Sequence, residues 1–211
     1  GRRMTAIYHI THIDNLPGLI GRGELLADTL IRQTGLSPRN IAYGNIKLRR
    51  STTAVSIPPR GVVSDYVPFY FCARSPMLYA VHGGQVEGYA GGQRSVAHLV
   101  ADAELMVESG ALCVHTDGHA AMQPITFHPG CSGFDRLDWT LINGWSWKNT
   151  PEDGDRKRRK QAEFLVWQRL PWTAISQIGV IDATIAEQVS VLMASAAHRP
   201  NVVVQPQWYY T

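Results

Sequence analysis

No long apolar run occurs in this chain. Nothing approaches the roughly 20 residues that a bilayer-spanning helix needs, so a membrane role is not expected. Charge is scarce at 18% and nearly balanced, with a formal +3 and a pI near 8.9. A function carried by the overall field is therefore excluded, and any nucleic-acid binding must come from local patches. Cysteine is sparse and odd in number: Cys72, Cys113 and Cys131 are widely spaced and read as reduced thiols of a cytoplasmic protein. No signal peptide is expected, since Thr5-Ala6-Ile7-Tyr8 already has strand character. No internal repeat or linker divides the chain. With 211 residues, 45% of them hydrophobic, one mixed α/β domain over residues 1–211 is the economical expectation.

Two familiar chemistries are also lacking. Gly83-Gly84 and Gly88-x-x-Gly91-Gly92 do not have Rossmann or Walker spacing and read as turns. Cys113, His115, His119, His128 and Cys131 are zinc-ligand types, but their spacing matches no ribbon or finger, and no metal is expected.

What is present begins with alternation over Ala6–Ile13, which predicts a first strand with His9 and Thr11 on one face. A helix follows from Asp14-Asn15, with Pro17 in its first turn and Gly21 and Gly23 at its end. Residues 28–36 predict a second short helix. Residues 37–61 are polar and poorly periodic and predict a long functional loop ending near Arg49-Arg50. Val63–Cys72 predicts a strand whose Pro68 calls for an edge or a bulge. Ser75-Pro76 opens a helix as cap and first residue.

Val96, Leu99, Val100, Ala103 and Val107 share a helical face, predicting a helix over Ser95–Glu108. A strand is expected at Leu112–His115 and a long connection over His119–Asn149. Strands at Glu163–Leu170 and Ile175–Ile181 follow, then a helix to Ala197 and a last strand from Val202.

The densest chemistry lies at Arg156-Lys157-Arg158-Arg159-Lys160-Gln161-Ala162-Glu163, where five basic residues run into one carboxylate. Trp145-Ser146-Trp147-Lys148-Asn149 precedes it. Aromatic faces beside cations suit a nucleic-acid strand; the plainer reading is a solvated basic loop leading into an edge strand.

Four blocks in order resemble a known family: Tyr8-x-Ile10-Thr11-His12-Ile13-Asp14-Asn15-Leu16; Ile46-Lys47-x-Arg49-Arg50; Asp65-Tyr66-Val67-Pro68-Phe69-Tyr70-Phe71-x-x-Arg74-Ser75-Pro76-Met77-Leu78-Tyr79; and Lys160-Gln161-Ala162-Glu163-Phe164-Leu165-Val166. They look like the DarT DNA ADP-ribosyltransferases, toxins of DarT–DarG toxin–antitoxin systems. The resemblance implies an α+β ADP-ribosyltransferase fold, a split mixed sheet with flanking helices around an NAD cleft. It implies transfer of ADP-ribose from NAD to thymine in single-stranded DNA, and a DarG-type antitoxin whose macrodomain removes the mark.

By the same resemblance Arg50 and Glu163 are catalytic, with Arg50 chosen over Arg49 by its place in the block. Thr11, His12, Ile13, Ile20, Asp28, Arg50 and Tyr70 would contact NAD, beneath a covering loop at residues 34–52. Arg74, Ser75, Met77, Tyr79, Trp147, Lys148, Asn149, Lys157, Arg158 and Arg159 would contact DNA. Two other readings stay open on the residues: the same fold acting on protein or RNA, and a nucleic-acid-binding module with a dead site.

Overall fold

In the computed structural model, which describes residues 3–41, 44–86 and 88–211, β1 (Ala6–His12) leads into α1 (Leu16–Arg22). Pro17 sits in the first turn of α1, and left-handed Gly23 ends it at φ 75°. β2 (Glu24–Leu26), α2 (Asp28–Gln33) and α3 (Gly44–Thr52) precede β3 (Tyr66–Tyr70). α4 (Pro76–His82) begins as expected, with the Ser75 hydroxyl accepting the Leu78 N–H at 3.1 Å.

After α4 come β4 (Val96–Asp102), α5 (Ala103–Glu108), β5 (Cys113–Thr116), β6 (Phe127–Pro129) and α6 (Trp139–Asn143). α7 (Arg156–Lys160) leads into β7 (Glu163–Trp167) and β8 (Arg169–Pro171). β9 (Gln177–Val180), α8 (Ala183–Leu192) and β10 (Asn201–Val204) complete the series.

The main sheet runs β10-β9-β4-β1-β3-β7-β5-β6, and β2 pairs with β8 apart from it. Among the described residues only β9 and β10 run parallel, so the sheet is mixed. One core beneath it joins Ile7, Leu16, Leu99, Phe164, Ile178 and Val189. A second, on the other side, joins Met77, Leu78, Val96, Trp147, Tyr209 and Tyr210.

The expected helix over Ser95–Glu108 is a strand followed by a short helix. Val96–Ala101 is buried throughout, because the strand lies inside the sheet with both faces covered. Such a strand loses polar alternation and reads like a buried helix. Asp102 then caps α5 by accepting the Leu105 N–H at 3.0 Å.

The loop predicted over 37–61 contains α3. Its roughly two and a half turns are mostly polar and carry an exposed Leu48, so no apolar stripe announces it. Ala42 and Tyr43 of that stretch lie outside the described residues. The 119–149 connection likewise holds β6 and α6. The last strand stops at Val204, short of Pro206.

β3 is interior in strand order, yet Pro68 has a physical explanation. β1 pairs with β4 along seven residues but meets β3 only at Tyr8↔Tyr70, after which the two strands part. The His9 ring Nδ1 lies 2.8 Å from the Pro68 carbonyl. In a strand the N–H and C=O of one residue share a side, so the N–H that proline lacks would have faced β1. Pro68 stands on an internal edge.

His98 lies fully buried between the cores, its Nε2 on the Ala73 carbonyl at 2.7 Å, and burial pushes it down to about 4. Burial pushes His115 down to about 4 as well, against its bond to the Gly130 carbonyl. Both rings are neutral when folded and take up a proton in the unfolded chain below about pH 6.5. Stability should therefore fall as pH drops from about 6.5, with His98 alone contributing roughly 2 kcal/mol of loss by pH 5. Urea midpoints at pH 7 and 5 measure this; equal midpoints would refute buried neutral rings.

Candidate active site

The parting of β1 and β3 opens a cleft of about 400 Å³ lined by His9, Ile10, Thr11, Tyr66, Pro68 and Tyr70 from the two strands. Glu163 opens β7 opposite Tyr70 in the ladder, so its side chain enters the cleft from the sheet itself. Arg50 reaches it from α3. The pair is bidentate, Nη1 to Oε2 at 3.1 Å and Nη2 to Oε1 at 2.8 Å. The Ala120 N–H also donates to Oε2, at 2.9 Å. Burial alone would raise the Glu163 carboxyl, which is 1% exposed; the Arg50 charge and bonds, His119 and Ala120 outweigh it and hold it below the ordinary range. Burial opposes the Arg50 charge too, and Glu163 more than restores it. The site holds an ionised acid against a fixed cation.

Arg49 does not share this site. Neighbouring residues on a helix point about 100° apart, and Arg49 lines a second cavity instead.

Asp28, at the start of α2, lines the cleft and pairs with Arg32 and with Lys47 at 3.1 Å. Burial would raise its carboxyl, but those cations hold it low. Lys47 also donates to Asn40 at 2.7 Å, and Asn15 joins Thr11 Oγ1, the Arg39 carbonyl and the Arg39 N–H. These bonds fasten residues 39–40 across the cleft. Burial and the facing Glu163 push the Tyr70 hydroxyl upward.

Three of the residues expected at NAD, His12, Ile13 and Ile20, are not among those lining the cleft. His12 turns away from Thr11 by strand alternation, and its Nδ1 accepts the Asp14 N–H at 3.0 Å. Ile13 is buried in the main core, and Ile20 packs against it.

His119 is the residue that sequence reasoning missed, having weighed it only as a zinc ligand. Its backbone N–H bonds to the Arg158 carbonyl at 3.0 Å, and its Nδ1 accepts the Ala121 N–H at 3.0 Å. The proton of the neutral ring is therefore on Nε2. Burial lowers its pKa against the pull of Glu163, with Arg50, Arg49 and Lys157 adding to the drop. No local signal marks it: β5 must first pair with β7 to bring residues 116–120 to the carboxylate. Among the described residues, no cluster of three His, Cys, Asp or Glu side chains is arranged to hold a metal.

A second cavity of about 420 Å³ adjoins the cleft, and Ile46, Met77 and His119 line both. Of the expected DNA residues, Met77, Tyr79, Trp147, Lys148, Asn149 and Lys157 line it. Ser75 is fully buried as a cap, and Arg74 sits behind the wall.

Arg158 and Arg159, also expected at the DNA, are engaged inside the protein. Arg158 is 8% exposed; it pairs with Asp155 at 2.7 Å and donates to the Pro124 carbonyl at 2.8 Å. It also fills the space over Gly118, where a Cβ would stand 2.3 Å from its guanidinium. Arg159 bridges Asp138, Asp153 and Asp155. Arg156 donates to the carbonyls of Lys148 and Ser146 at 3.0 and 2.8 Å. Buried Lys160 caps the end of α6 through the carbonyls of Leu141, Ile142 and Gly144. Of the five cations only Lys157 is exposed, its ammonium 6.0 Å over the Trp147 ring.

Arg158→Ala should accordingly cost about 1–3 kcal/mol of stability, whereas Lys157→Ala should leave the melting temperature within about a degree or two. Thermal scans of both variants decide; equal effects would return the run to a solvated loop.

The family model described as "ssDNA thymidine ADP-ribosyltransferase, DarT" matches residues 8–210. A DNA ADP-ribosyl transferase of Thermus aquaticus is 44% identical over 208 residues, 98% of this chain and 89% of that protein. The solved structure of Thermus sp. 2.9 DarT with ADP-ribosylated ssDNA superposes with a TM-score of 0.90 at 42% identity, covering 98% of this chain and 96% of that one. Its NAD+ complex superposes at 0.85 and 39% identity, with 98% of each chain covered. A transferase–glycohydrolase fusion protein of Thermosipho africanus is 26% identical over 97% of this chain and 48% of its own length. On the matched family model and these full-length likenesses, the chain belongs to the DarT family of ssDNA thymidine ADP-ribosyltransferases.

Proposed function

We propose that this protein transfers ADP-ribose from NAD to a thymine base of single-stranded DNA and releases nicotinamide. The observation that carries the reading is the ionised Glu163–Arg50 pair beside the wall shared by two cavities. A relative of the same fold has been solved with NAD+ and with ADP-ribosylated ssDNA, which supports a site that takes both substrates.

NAD would lie in the cleft against Thr11, Asp28 and Tyr70, beneath residues 39–40. As the glycosidic bond to nicotinamide breaks, the ribose gains oxocarbenium character, which Glu163 stabilises through the 2′-hydroxyl. Nicotinamide leaves with the bonding electron pair, and the ring nitrogen of thymine gives its proton to water as it forms the new bond to that carbon. That nitrogen is a poor nucleophile while protonated, and a cation nearby favours its anion. Arg50 supplies the cation; its high pKa makes anion stabilisation a better role than proton abstraction.

The strand would lie along Met77, Tyr79, Trp147, Lys148, Asn149 and Lys157, its bases already unstacked and free of the cost of flipping from a duplex. Arg158 and Arg159 hold that surface in shape from behind. Residues 1–211 would act as one transferase domain, in the cytoplasm, as the toxin of a pair. The Thermosipho fusion, which joins the transferase to a DNA ADP-ribosyl glycohydrolase, supports a DarG-type antitoxin as the partner that reverses the mark.

Incubation with NAD and a thymine-containing single strand, read by mass, should give one added ADP-ribose per target; labelling of protein or RNA instead would overturn the substrate. Glu163→Gln and Arg50→Ala should each lower transfer by about 100-fold or more, and near-wild-type transfer in either removes that residue from the chemistry. Lys157→Ala should weaken DNA binding and reduce its salt slope by roughly one phosphate contact. An unchanged slope would place the strand elsewhere.

A further inference from the structure

Arg74 is withdrawn from the second cavity, yet it is firmly held. Its guanidinium lies 3.9 Å from the Tyr210 ring centroid and 4.5 Å from that of Trp145. Its Nη1 donates to the Trp145 carbonyl at 3.1 Å. Tyr210 in turn carries the Trp147 indole N–H on its hydroxyl at 3.1 Å, and its ring meets Tyr79 at 5.0 Å. Tyr79 and Trp147 are cavity walls. A continuous ladder of rings and one cation therefore leads out from the second cavity to Trp145.

Trp145 is the outer rung, and it is unlike the others. Tryptophan is usually well covered, but this side chain is 64% exposed, the most exposed aromatic among the described residues. A loose surface ring would lack anchors; this one is fixed through Arg74 and its own backbone carbonyl. Arg74 lies over the ring, and most of the residue stays open to solvent. Lys148 and Lys157, both exposed, line the second cavity and are available to phosphates.

We infer that the exposed indole of Trp145 is a stacking platform for a second base of the DNA strand, next to the one delivered to the Glu163–Arg50 pair. The inference rests on the reading that the second cavity receives the target nucleotide. A base is the fitting occupant because every base offers a flat π face, and stacking on a fixed ring needs no sequence-specific hydrogen bond. Arg74 keeps the indole in place before the strand arrives, which lowers the entropy lost on binding. The platform would thus set how many nucleotides around the target must be present, without choosing their identity.

The test uses oligonucleotides with one target thymine whose flanking nucleotides are replaced in turn by an abasic unit. KM for DNA, kcat and NAD affinity are measured separately on wild type, Trp145→Ala and Trp145→Phe. One abasic flank should raise the wild-type KM about 5- to 150-fold. Trp145→Ala should raise KM by a similar factor on the intact strand and become indifferent to that flank. Trp145→Phe should retain most of the effect, and kcat at saturating DNA should change little.

A wild-type KM in Trp145→Ala, or unaltered sensitivity to the abasic flank, overturns the platform. Should Trp145→Ala lose NAD affinity, the wild type and Trp145→Phe decide: indifference to every abasic flank then overturns it. Tyr79→Ala and Lys157→Ala separate the two readings. If these raise KM and Trp145→Ala does not, only the platform fails; if none of the three does, the second cavity is not the DNA site.

Discussion

One buried ion pair organises this molecule. Arg50 and Glu163 are 113 residues apart, and their two bonds tie α3, which has little apolar surface of its own, to the start of β7. Burying both charges costs several kcal/mol each before any attraction is counted, and an apolar pair of similar volume would serve the fold as well or better. The cost is understandable only at a site that uses the charges. Around the acid, Ala120 donates from the backbone, and Thr116 Oγ1 accepts the Glu163 N–H at 3.0 Å. The carboxylate is held by Arg50 and Ala120, and its backbone by Thr116, before a substrate enters.

The basic run shows charge put to a different use. Residues 144–155 lie in no helix or strand, and the carbonyls of such a loop and of the helix end before it need partners. Arg156, Arg158 and Lys160 supply them, to Ser146, Lys148, Pro124 and the end of α6. Because the guanidiniums and the buried ammonium take these inward places, Lys157, Lys148 and Trp147 are presented along one wall. The shape of that wall is made by cations that do not line it.

Much of the site was legible in the sequence, for a specific reason in each case. Glu163 stands alone in an apolar segment, a conspicuous acid at a strand entrance. Ser75 with Pro76 carries its helix start in residue type, and Thr11 its cleft face in strand alternation. Other features were hidden because they depend on neighbours the sequence does not show. Val96–Ala101 looked helical because the residues covering its second face come from distant segments. Arg158 and Arg159 looked available for phosphate because sequence counts charges, not partners; Asp117, Asp138 and Asp153 occupy them. His119 had no motif at all, since its place depends on β5 lying against β7.

Pro68 has a consequence for affinity. Two adjacent strands with free donors and acceptors tend to pair along their length, and full pairing of β1 with β3 would close the space lined by Thr11 and Tyr70. A residue without an N–H on that side interrupts the zipper, and the His9 ring occupies the carbonyl that remains. The open cleft is then the resting state of the sheet itself. No binding energy has to be diverted into prising strands apart when the dinucleotide arrives, so the full interaction is available for holding it and for straining the bond that breaks.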